Sequence, residues 1–299
     1  MSREQREDLD AVLRRAPEEF HPQSVERMRE NFASFMAMFP IPPIRQTETV
    51  IAGCPAVLVE PLGEKRAGTI LYFHGGSFAL GSPQTAMSLT ASIVTRTGFS
   101  AVSVDYRLAP EHPFPSGIKD CLAAYQALLD DGMPAESIAL AGDSAGGGLT
   151  VTTTLAARAA GLPLPAAIVA FSPALDHTHS GETMATKEGI DPFFTRAGLA
   201  YAGDMYLGGQ NPNQELVAPA VLADLTGFPP ILLQVGTNEL LLDDSVRLAQ
   251  RARAAEVDVI LDITAGVPHV FHTFIGQLDE ADQALDRAAL FLRQHIQTR

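Results

Sequence analysis

A serine lies in a glycine-rich turn between a strand pattern and a helix pattern. The apolar run at 138–141 continues directly into G-D-S-A-G at 142–146, and a helical pattern follows. A sharp strand-to-helix turn holds a nucleophile in a strained backbone conformation, and flanking glycines avoid clashes there. The following helix N-terminus favours developing negative charge. The motif predicts Ser144 as an acyl-transfer nucleophile, with a glycine-rich helix start that does no chemistry as the alternative.

A second glycine-containing turn could supply hydrogen-bond donors to the same reaction. An apolar run at 69–73 is followed by H-G-G-S-F at 74–78. Backbone N–H groups stabilise an oxyanion where the chain approaches the substrate closely, which favours glycine. We predict the N–H groups of Gly75, Gly76 and Ala145 as the oxyanion hole. The third glycine of the H-G-G-G pattern is a serine here, and the histidine of this loop is interpreted as structural.

The sequence contains eight histidines, and these are the candidates for the general base. In enzymes with this type of nucleophile turn, the acid and then the base follow the serine in chain order. Five histidines precede Ser144 or follow it closely: His21, His74, His112, His177 and His179. His295 lies in the last helical pattern, near the end of the sequence. His269 follows the last strand pattern, where it could meet Ser144 as general base. His272 is the alternative.

The orienting acid must lie just past the end of a strand to reach the base. The strand pattern at 231–235 is followed by G-T-N-E, which ends at Glu239. Asp243 and Asp244 fall in the first turn of the next helical pattern, where carboxylates commonly serve capping and the helix dipole. Glu239 is therefore predicted as the acid, and Asp243 is the alternative.

Strand and helix patterns alternate along most of the chain. Strands are predicted at 47–51, 56–60, 68–73, 101–104, 138–141, 167–171, 231–235 and 259–263. Helices are predicted near 84–96, 116–129, 145–160, 241–255 and 279–296. The first two strands can form a hairpin, and the helix-sized connections between the others indicate parallel crossovers. The pattern predicts an α/β fold with an eight-stranded, mostly parallel sheet covered by helices on both faces.

Two segments do not follow this alternation. Residues 1–45 are predicted to form two helices, the second from about Pro22 to Met38. Residues 175–225 form a connection longer than a normal helix-to-strand loop. Apolar side chains in both segments could form a cap and contact substrate, and the candidates are Phe35, Met38, Phe193, Tyr201 and Met205. Ordinary packing is the alternative interpretation of these side chains.

The amino-acid composition restricts the kinds of partner that the protein is expected to bind. The formal net charge of −14 argues against nucleic acid and anionic membranes as ligands. Cys54 and Cys121 have no metal-ligand spacing, so two free thiols, no metal and no cofactor are expected. The N-terminal residues lack the apolar core of a signal peptide, and no apolar run approaches the roughly 18 residues of a membrane span. These features predict a cytoplasmic protein without stable membrane insertion.

Three motifs together resemble the hormone-sensitive-lipase-like (family IV) bacterial esterases. They are H-G-G-S-F at 74–78, D-Y-R-L-A-P-E-H-P-F-P at 105–115 and G-D-S-A-G-G-G at 142–148. The resemblance implies an α/β-hydrolase core at 46–174 and 226–299, with a cap formed by 1–45 and the 175–225 insertion. It also implies structural roles for Asp105, Arg107 and Glu111. The family's acid motif D-P-L-x-D reads E-L-L-L-D here, so Glu239 replaces the usual aspartate.

The predicted activity is hydrolysis of short-to-medium acyl esters through a Ser–His–Glu acyl-enzyme mechanism, with a small-molecule ester as substrate. A lactone hydrolase of the monoterpene ε-lactone type and an arylacetamide-type deacylase use the same residues and stay open. A non-catalytic binding protein on the same fold is the alternative from another class. The last strand and the final helix could form the edge of a homodimer.

Overall fold

A computed structural model describes residues 2–14 and 23–297 of the 299-residue chain. The predicted start of the second helix at Pro22, and His21, lie outside the described residues. A single eight-stranded sheet forms the centre of the described molecule, in the order β1-β2-β4-β3-β5-β6-β7-β8. The strands are β1 (Ile44–Ile51), β2 (Cys54–Pro61), β3 (Thr69–Phe73), β4 (Ser100–Val104), β5 (Ile138–Asp143), β6 (Ala167–Phe171), β7 (Ile231–Asn238) and β8 (Val259–Pro268).

The strand directions match the predicted hairpin and crossovers. β1 and β2 pair antiparallel, with Ile51 opposite Cys54 at the turn. β2 also pairs antiparallel with β4, and every other neighbouring pair is parallel. The prediction of an eight-stranded, mostly parallel α/β sheet is confirmed. Because the parallel strands end at one edge, the residues that follow β5, β7 and β8 come together there.

Helices cover both faces of the sheet. They are α1 (Ser2–Leu13), α2 (Val25–Met36), α3 (Met87–Thr97), α4 (Ser116–Asp130), α5 (Ala145–Ala159), α6 (Thr183–Thr186), α7 (Arg196–Leu207), α8 (Pro219–Leu222), α9 (Leu242–Ala254) and α10 (Asp279–His295). Two short 3₁₀ turns span Ala135–Ser137 and Phe271–Thr273. Within the described ranges, no helix is both long and apolar enough to cross a membrane.

Alternate residues of each central strand contribute to opposite sides of the core, as the two-residue period of a strand requires. Ile70 and Tyr72 of β3 pack with side chains of α3 and α10. Leu71 and Phe73 pack with side chains of α4 and α5 on the other face. A neighbouring apolar cluster joins α5 and α9 to β6 and β7. Both faces are thereby buried, which fixes the register of the strands that carry the site residues.

Arg29 makes several of the contacts that attach the segment before the sheet to the loops at its edge. Arg29 of α2 donates hydrogen bonds to the carbonyl oxygens of Ala79 and Ala109, at 2.9 and 3.1 Å. The same guanidinium also pairs with Glu111 at 2.7 Å. Ala79 follows the 74–78 loop directly, so α2 is held beside that loop.

Candidate active site

Ser144 occupies a strained turn between β5 and α5. Its backbone angles are φ 51° and ψ −117°, a conformation that L-residues rarely adopt. The close packing around this turn requires glycine. A Cβ added to Gly146 would lie 1.9 Å from the carbonyl oxygen of Phe73, and one added to Gly142 would lie 2.5 Å from backbone atoms of Gly146. The two glycines of the motif therefore let the turn bring the Ser144 side chain to the sheet edge.

Ser144, His269 and Glu239 form a connected set of hydrogen bonds. His269 Nε2 lies 2.9 Å from Ser144 Oγ, and His269 Nδ1 lies 2.7 Å from Glu239 Oε2. Asn238 and Pro268 are paired at the ends of β7 and β8, so the next residues of the two strands are adjacent. This register places the acid and the base side by side at the sheet edge. With Ser144 donating to His269, the arrangement can remove the serine proton.

Glu239 is fully buried and its second oxygen is also paired. Glu239 Oε1 accepts hydrogen bonds from the Ser172 hydroxyl at 2.8 Å and from the Gly236 N–H at 2.5 Å. The Ser172 hydroxyl accepts in turn from the Val270 N–H at 3.0 Å. Ser172 therefore links the acid to the backbone beside His269. Ser172 follows β6 outside any recognisable motif, so this contact could not be predicted from the sequence.

Removing the Ser172 hydroxyl is expected to weaken catalysis without unfolding the protein. Ser172 has φ 44°, which glycine adopts without strain, so Ser172→Gly is the suitable variant. Loss of a hydrogen bond to a charged acceptor costs about 1.5–3 kcal/mol, and we expect kcat/KM to fall about 10- to 100-fold. Steady-state kinetics beside a thermal-unfolding curve measure both effects. A folded variant with unchanged kcat/KM would show that Ser172 does not position the acid.

The alternative candidates for the acid and the base make other contacts. Asp243 Oδ2 accepts the Thr183 N–H at 3.0 Å. Asp244 Oδ2 accepts the N–H of Leu175 at 2.7 Å, and burial raises the pKa of Asp244 well above its usual value. The His272 ring is fully buried beside aromatic rings, and burial lowers its pKa. The structure brings Ser144 together with His269, and not with these alternatives.

The predicted oxyanion loop packs against the nucleophile turn. Gly75 packs directly against the Asp143 carboxylate, and a Cβ added to Gly75 would lie 2.2 Å from Asp143 Oδ2. Burial raises the pKa of Asp143 to about 6, against the lowering effects of the Tyr72 hydroxyl and the Gly75 N–H. Ser77, which replaces the third glycine, lines the cavity beside Ser144. Its φ of 53° lies in the region that favours glycine.

The histidine of this loop is buried and bonded to the loop itself. His74 Nδ1 lies 2.8 Å from the Gly75 carbonyl oxygen, and its ring stacks on Tyr106 with centroids 4.2 Å apart. Burial lowers the pKa of His74 to about 4, so the ring is neutral at neutral pH. Its contacts are those of a side chain that supports the loop.

A cavity of about 30 Å³ opens beside Ser144. Its wall consists of Ser77, Phe78, Ala174, Asp176, His177, His179, Phe194, Leu199, Ala202, Gly203, Leu241 and Asp244. None of the five predicted substrate contacts belongs to this wall. Phe35 and Phe193 pack edge-to-face at 5.9 Å, Met38 is 67% exposed, Tyr201 bonds the Gln23 carbonyl oxygen, and Met205 is half-buried. As substrate contacts, these five residues stay predictions.

The insertion between β6 and β7 contacts His269 directly. The Phe194 ring lies edge-on to the His269 ring, with centroids 4.8 Å apart. Asp191 accepts the Phe194 N–H at 3.0 Å and the Leu240 N–H at 2.8 Å through different oxygens. Because Leu240 follows Glu239, one carboxylate ties the insertion to the segment that carries the acid. Burial raises the pKa of Asp191 to about 6.

Comparisons with known proteins support the predicted fold. The α/β hydrolase fold family matches residues 70–273. An acetyl-hydrolase of Streptomyces hygroscopicus is 40% identical over 81% of this chain and 81% of its own length. An esterase of Acinetobacter venetianus is 36% identical over 74% of this chain and 73% of its own length.

Solved structures of other proteins superpose on nearly the whole of this chain. The crystal structure of an esterase from the bacterial hormone-sensitive lipase family superposes with a TM-score of 0.93 at 37% identity, covering 98% of this chain and 99% of that chain. The crystal structure of EstE5 soaked with p-nitrophenyl butyrate superposes with a TM-score of 0.92 at 35% identity, covering 97% and 98%. The chain therefore belongs to the α/β hydrolase family, among the hormone-sensitive-lipase-like esterases. It is a carboxylic ester hydrolase.

Proposed function

We propose that this carboxylic ester hydrolase cleaves esters of short acyl groups through an acyl-enzyme on Ser144. The hydrogen-bonded line from Ser144 through His269 to Glu239 is the observation that carries the proposal. His269 takes the serine proton as Oγ attacks the ester carbonyl, and it then gives a proton to the leaving alcohol. Water cleaves the acyl-enzyme by the same route. Glu239 fixes the imidazole tautomer and stabilises its positive charge.

The oxyanion is held by backbone N–H groups in this proposal. Gly76 and Ala145 are two of the predicted donors. Gly75 is the third predicted donor, and Ser77, which stands in the position of the third glycine, lines the cavity beside Ser144. A backbone donor does not depend on the side chain, so a serine can fill the position of the third glycine. Each donor is expected to contribute about 10²–10³ in rate.

The proposed cap consists of residues 1–45 and the 175–225 insertion. Phe194 lies against His269, and α7 contributes Leu199, Ala202 and Gly203 to the cavity wall. Such contacts exclude water from the reacting groups, which strengthens the hydrogen bonds among them. The first segment acts on the site through α2, which Arg29 holds beside the oxyanion loop.

The cavity size favours a short acyl group. A cavity of about 30 Å³ holds about two water-sized groups, which is the room that an acetyl or propionyl chain needs. The name of the Streptomyces relative, acetyl-hydrolase, agrees with this size. The apolar part of the wall, with Phe78, Phe194 and Leu199, suits an uncharged chain.

Adding one methyl group to the cavity wall is expected to sharpen this preference. A Cβ added to Gly203 would lie 3.8 Å from His179 Cε1 and 4.0 Å from His177 Nδ1, so alanine fits without a clash. Gly203→Ala should raise the acetate-to-butyrate ratio of kcat/KM about tenfold, since one methyl group of space is worth about 1–3 kcal/mol. The helix should also gain about 0.5–1 kcal/mol.

The control for this variant is Gly63→Ala, since Gly63 is exposed and an added Cβ there meets no atom within 4 Å. Initial rates on p-nitrophenyl acetate and butyrate give the ratio. An unchanged ratio for Gly203→Ala would show that this cavity does not receive the acyl chain.

The proposed function is tested with p-nitrophenyl esters from acetate to palmitate. We expect activity on the short chains that falls steeply as the chain lengthens. A p-nitrophenyl phosphate triester should then inactivate the enzyme, and peptide mass spectrometry should locate the phosphoryl adduct on Ser144. Absence of ester hydrolysis at every chain length, or an adduct on another residue, would contradict the proposal.

A further inference from the structure

We infer that the cavity beside Ser144 accepts a short acyl group that carries a hydroxyl, held by the imidazoles of His177 and His179. The inference rests on the proposed function, because it takes Ser144 as the nucleophile and this cavity as the acyl site. The overall reaction stays the hydrolysis of an ester to an alcohol and an acid. The acyl C–O bond breaks, a new C–O bond forms to the water oxygen, and the acid released is a hydroxy acid.

Two imidazoles line the cavity without hydrogen-bond partners. Among residues 2–14 and 23–297, the side chains of His177 and His179 form no hydrogen bond, although both line the cavity. His177 Nδ1 lies 4.0 Å from the Cβ position of Gly203, which also belongs to the cavity wall. Both side chains are partly exposed, so their ring nitrogens are accessible from the cavity, and a ligand hydroxyl can take the place of water on them.

Aromatic rings hold His177 in place. Its ring lies 5.2 Å from the ring of Phe78 and 4.9 Å from that of Tyr206, measured between centroids. The loop that carries both histidines is also fixed from within. The buried Asp176 carboxylate accepts hydrogen bonds from Thr178 and Ser180 and pairs with Arg247 at 2.9 Å. The nitrogens of the two histidines are therefore preorganised for a ligand.

The charge of the cavity wall selects a neutral substituent. Burial lowers the pKa of His177 to about 4 and also lowers that of His179, so both rings are neutral near pH 7. Each neutral ring presents one donor and one acceptor. A hydroxyl both donates and accepts, which matches this pair. An anionic acyl chain would face the carboxyls of Asp176 and Asp244 in the same wall, and neutral imidazoles would not balance its charge.

Cavity size sets the chain length. The volume of about 30 Å³ limits the acyl group to a few carbon atoms. Esters of the lactate type combine that length with a hydroxyl near the carbonyl. The same chain without the hydroxyl would leave the imidazole nitrogens unpaired, and this difference is the basis of discrimination between the two esters.

The test compares ethyl propionate with the two enantiomers of ethyl lactate. For each ester, kcat/KM is divided by its rate constant for hydrolysis by hydroxide, which removes the intrinsic effect of the hydroxyl. We expect wild type to prefer one hydroxy ester by about tenfold, the value of one neutral hydrogen bond. His177→Phe and His179→Phe keep a planar ring, and the preference should fall toward one in at least one of them.

The matched control is His112→Phe, because His112 is exposed and lies outside the cavity wall. It should keep the wild-type preference. For wild type, the corrected kcat/KM of the hydroxy ester is divided by that of the unsubstituted ester. A ratio of one or below for both enantiomers would overturn the inference, whatever the variants show. A preference that survives in both cavity variants would also overturn it. Hydrolysis of ethyl propionate by wild type and its loss in Ser144→Ala report on the proposed function alone, so the two failures are distinguishable.

Discussion

Replacing Ser144 by alanine is expected to lower kcat about 10⁶-fold on p-nitrophenyl acetate. His269 Nε2 lies 2.9 Å from Ser144 Oγ, so the substitution removes the nucleophile and leaves the base without its proton donor. Members of such a triad act as one unit, and the loss of the serine alone removes nearly all of their joint contribution. The oxyanion donors stay in place, so a residual rate above that of water is expected.

The control for this substitution is Ser137→Ala. Ser137 directly precedes β5 and Ser144 directly follows it, so the two serines lie at opposite ends of one strand. Within the described part of the chain, the Ser137 hydroxyl bonds the Pro134 carbonyl oxygen and no other group. Ser137→Ala should therefore keep wild-type kinetics. Activity of Ser144→Ala within about tenfold of wild type would exclude an acyl-enzyme on this residue.

Replacing Glu239 by glutamine is expected to lower kcat about 10⁴-fold. The glutamine amide can donate to His269 Nδ1, where the carboxylate only accepts. The imidazole would then carry its proton on Nε2, facing Ser144, and could not take the serine proton. The substitution also removes the negative charge that stabilises the imidazolium at 2.7 Å. Steady-state kinetics measure the loss, and a thermal-unfolding curve shows whether the buried amide is tolerated.

Asp243→Asn provides the comparison for the acid. Asp243 accepts the Thr183 N–H, and an asparagine oxygen can accept the same bond. We expect its kcat to stay within a few-fold of wild type. If Asp243→Asn lost more activity than Glu239→Gln, the assignment of the acid would be reversed.

Much of the fold could be predicted from local sequence patterns. Parallel strands that are buried on both faces appear in the sequence as short apolar runs. The carboxyl ends of these strands share one edge of the sheet. Because Ser144, Glu239 and His269 each follow a strand, their positions were sufficient to place them together. The sequence could not show that β7 and β8 continue to Asn238 and Pro268. That extra pairing is what sets the acid and the base side by side.

The insertion could not be predicted in the same detail. A helical stripe of apolar residues shows which residues pack, but not which element they pack against. Phe193 was therefore predicted as the substrate contact, whereas its neighbour Phe194 is the residue that contacts His269. Ser172 and Asp191 act through hydrogen bonds to residues about 50 to 70 positions away in the chain. No spacing rule covers such pairs. His177 and His179 were set aside by chain order, which governs the base but not the wall of the cavity.

The single carboxylate of Asp191 has a consequence for how the enzyme loses activity on heating. It joins the insertion to the backbone next to Glu239, so a local opening of the insertion also releases the acid. The buried sheet has no part in that event. Inactivation should then precede global unfolding, and amide exchange at Leu240 should follow the loss of activity rather than the melting of the sheet.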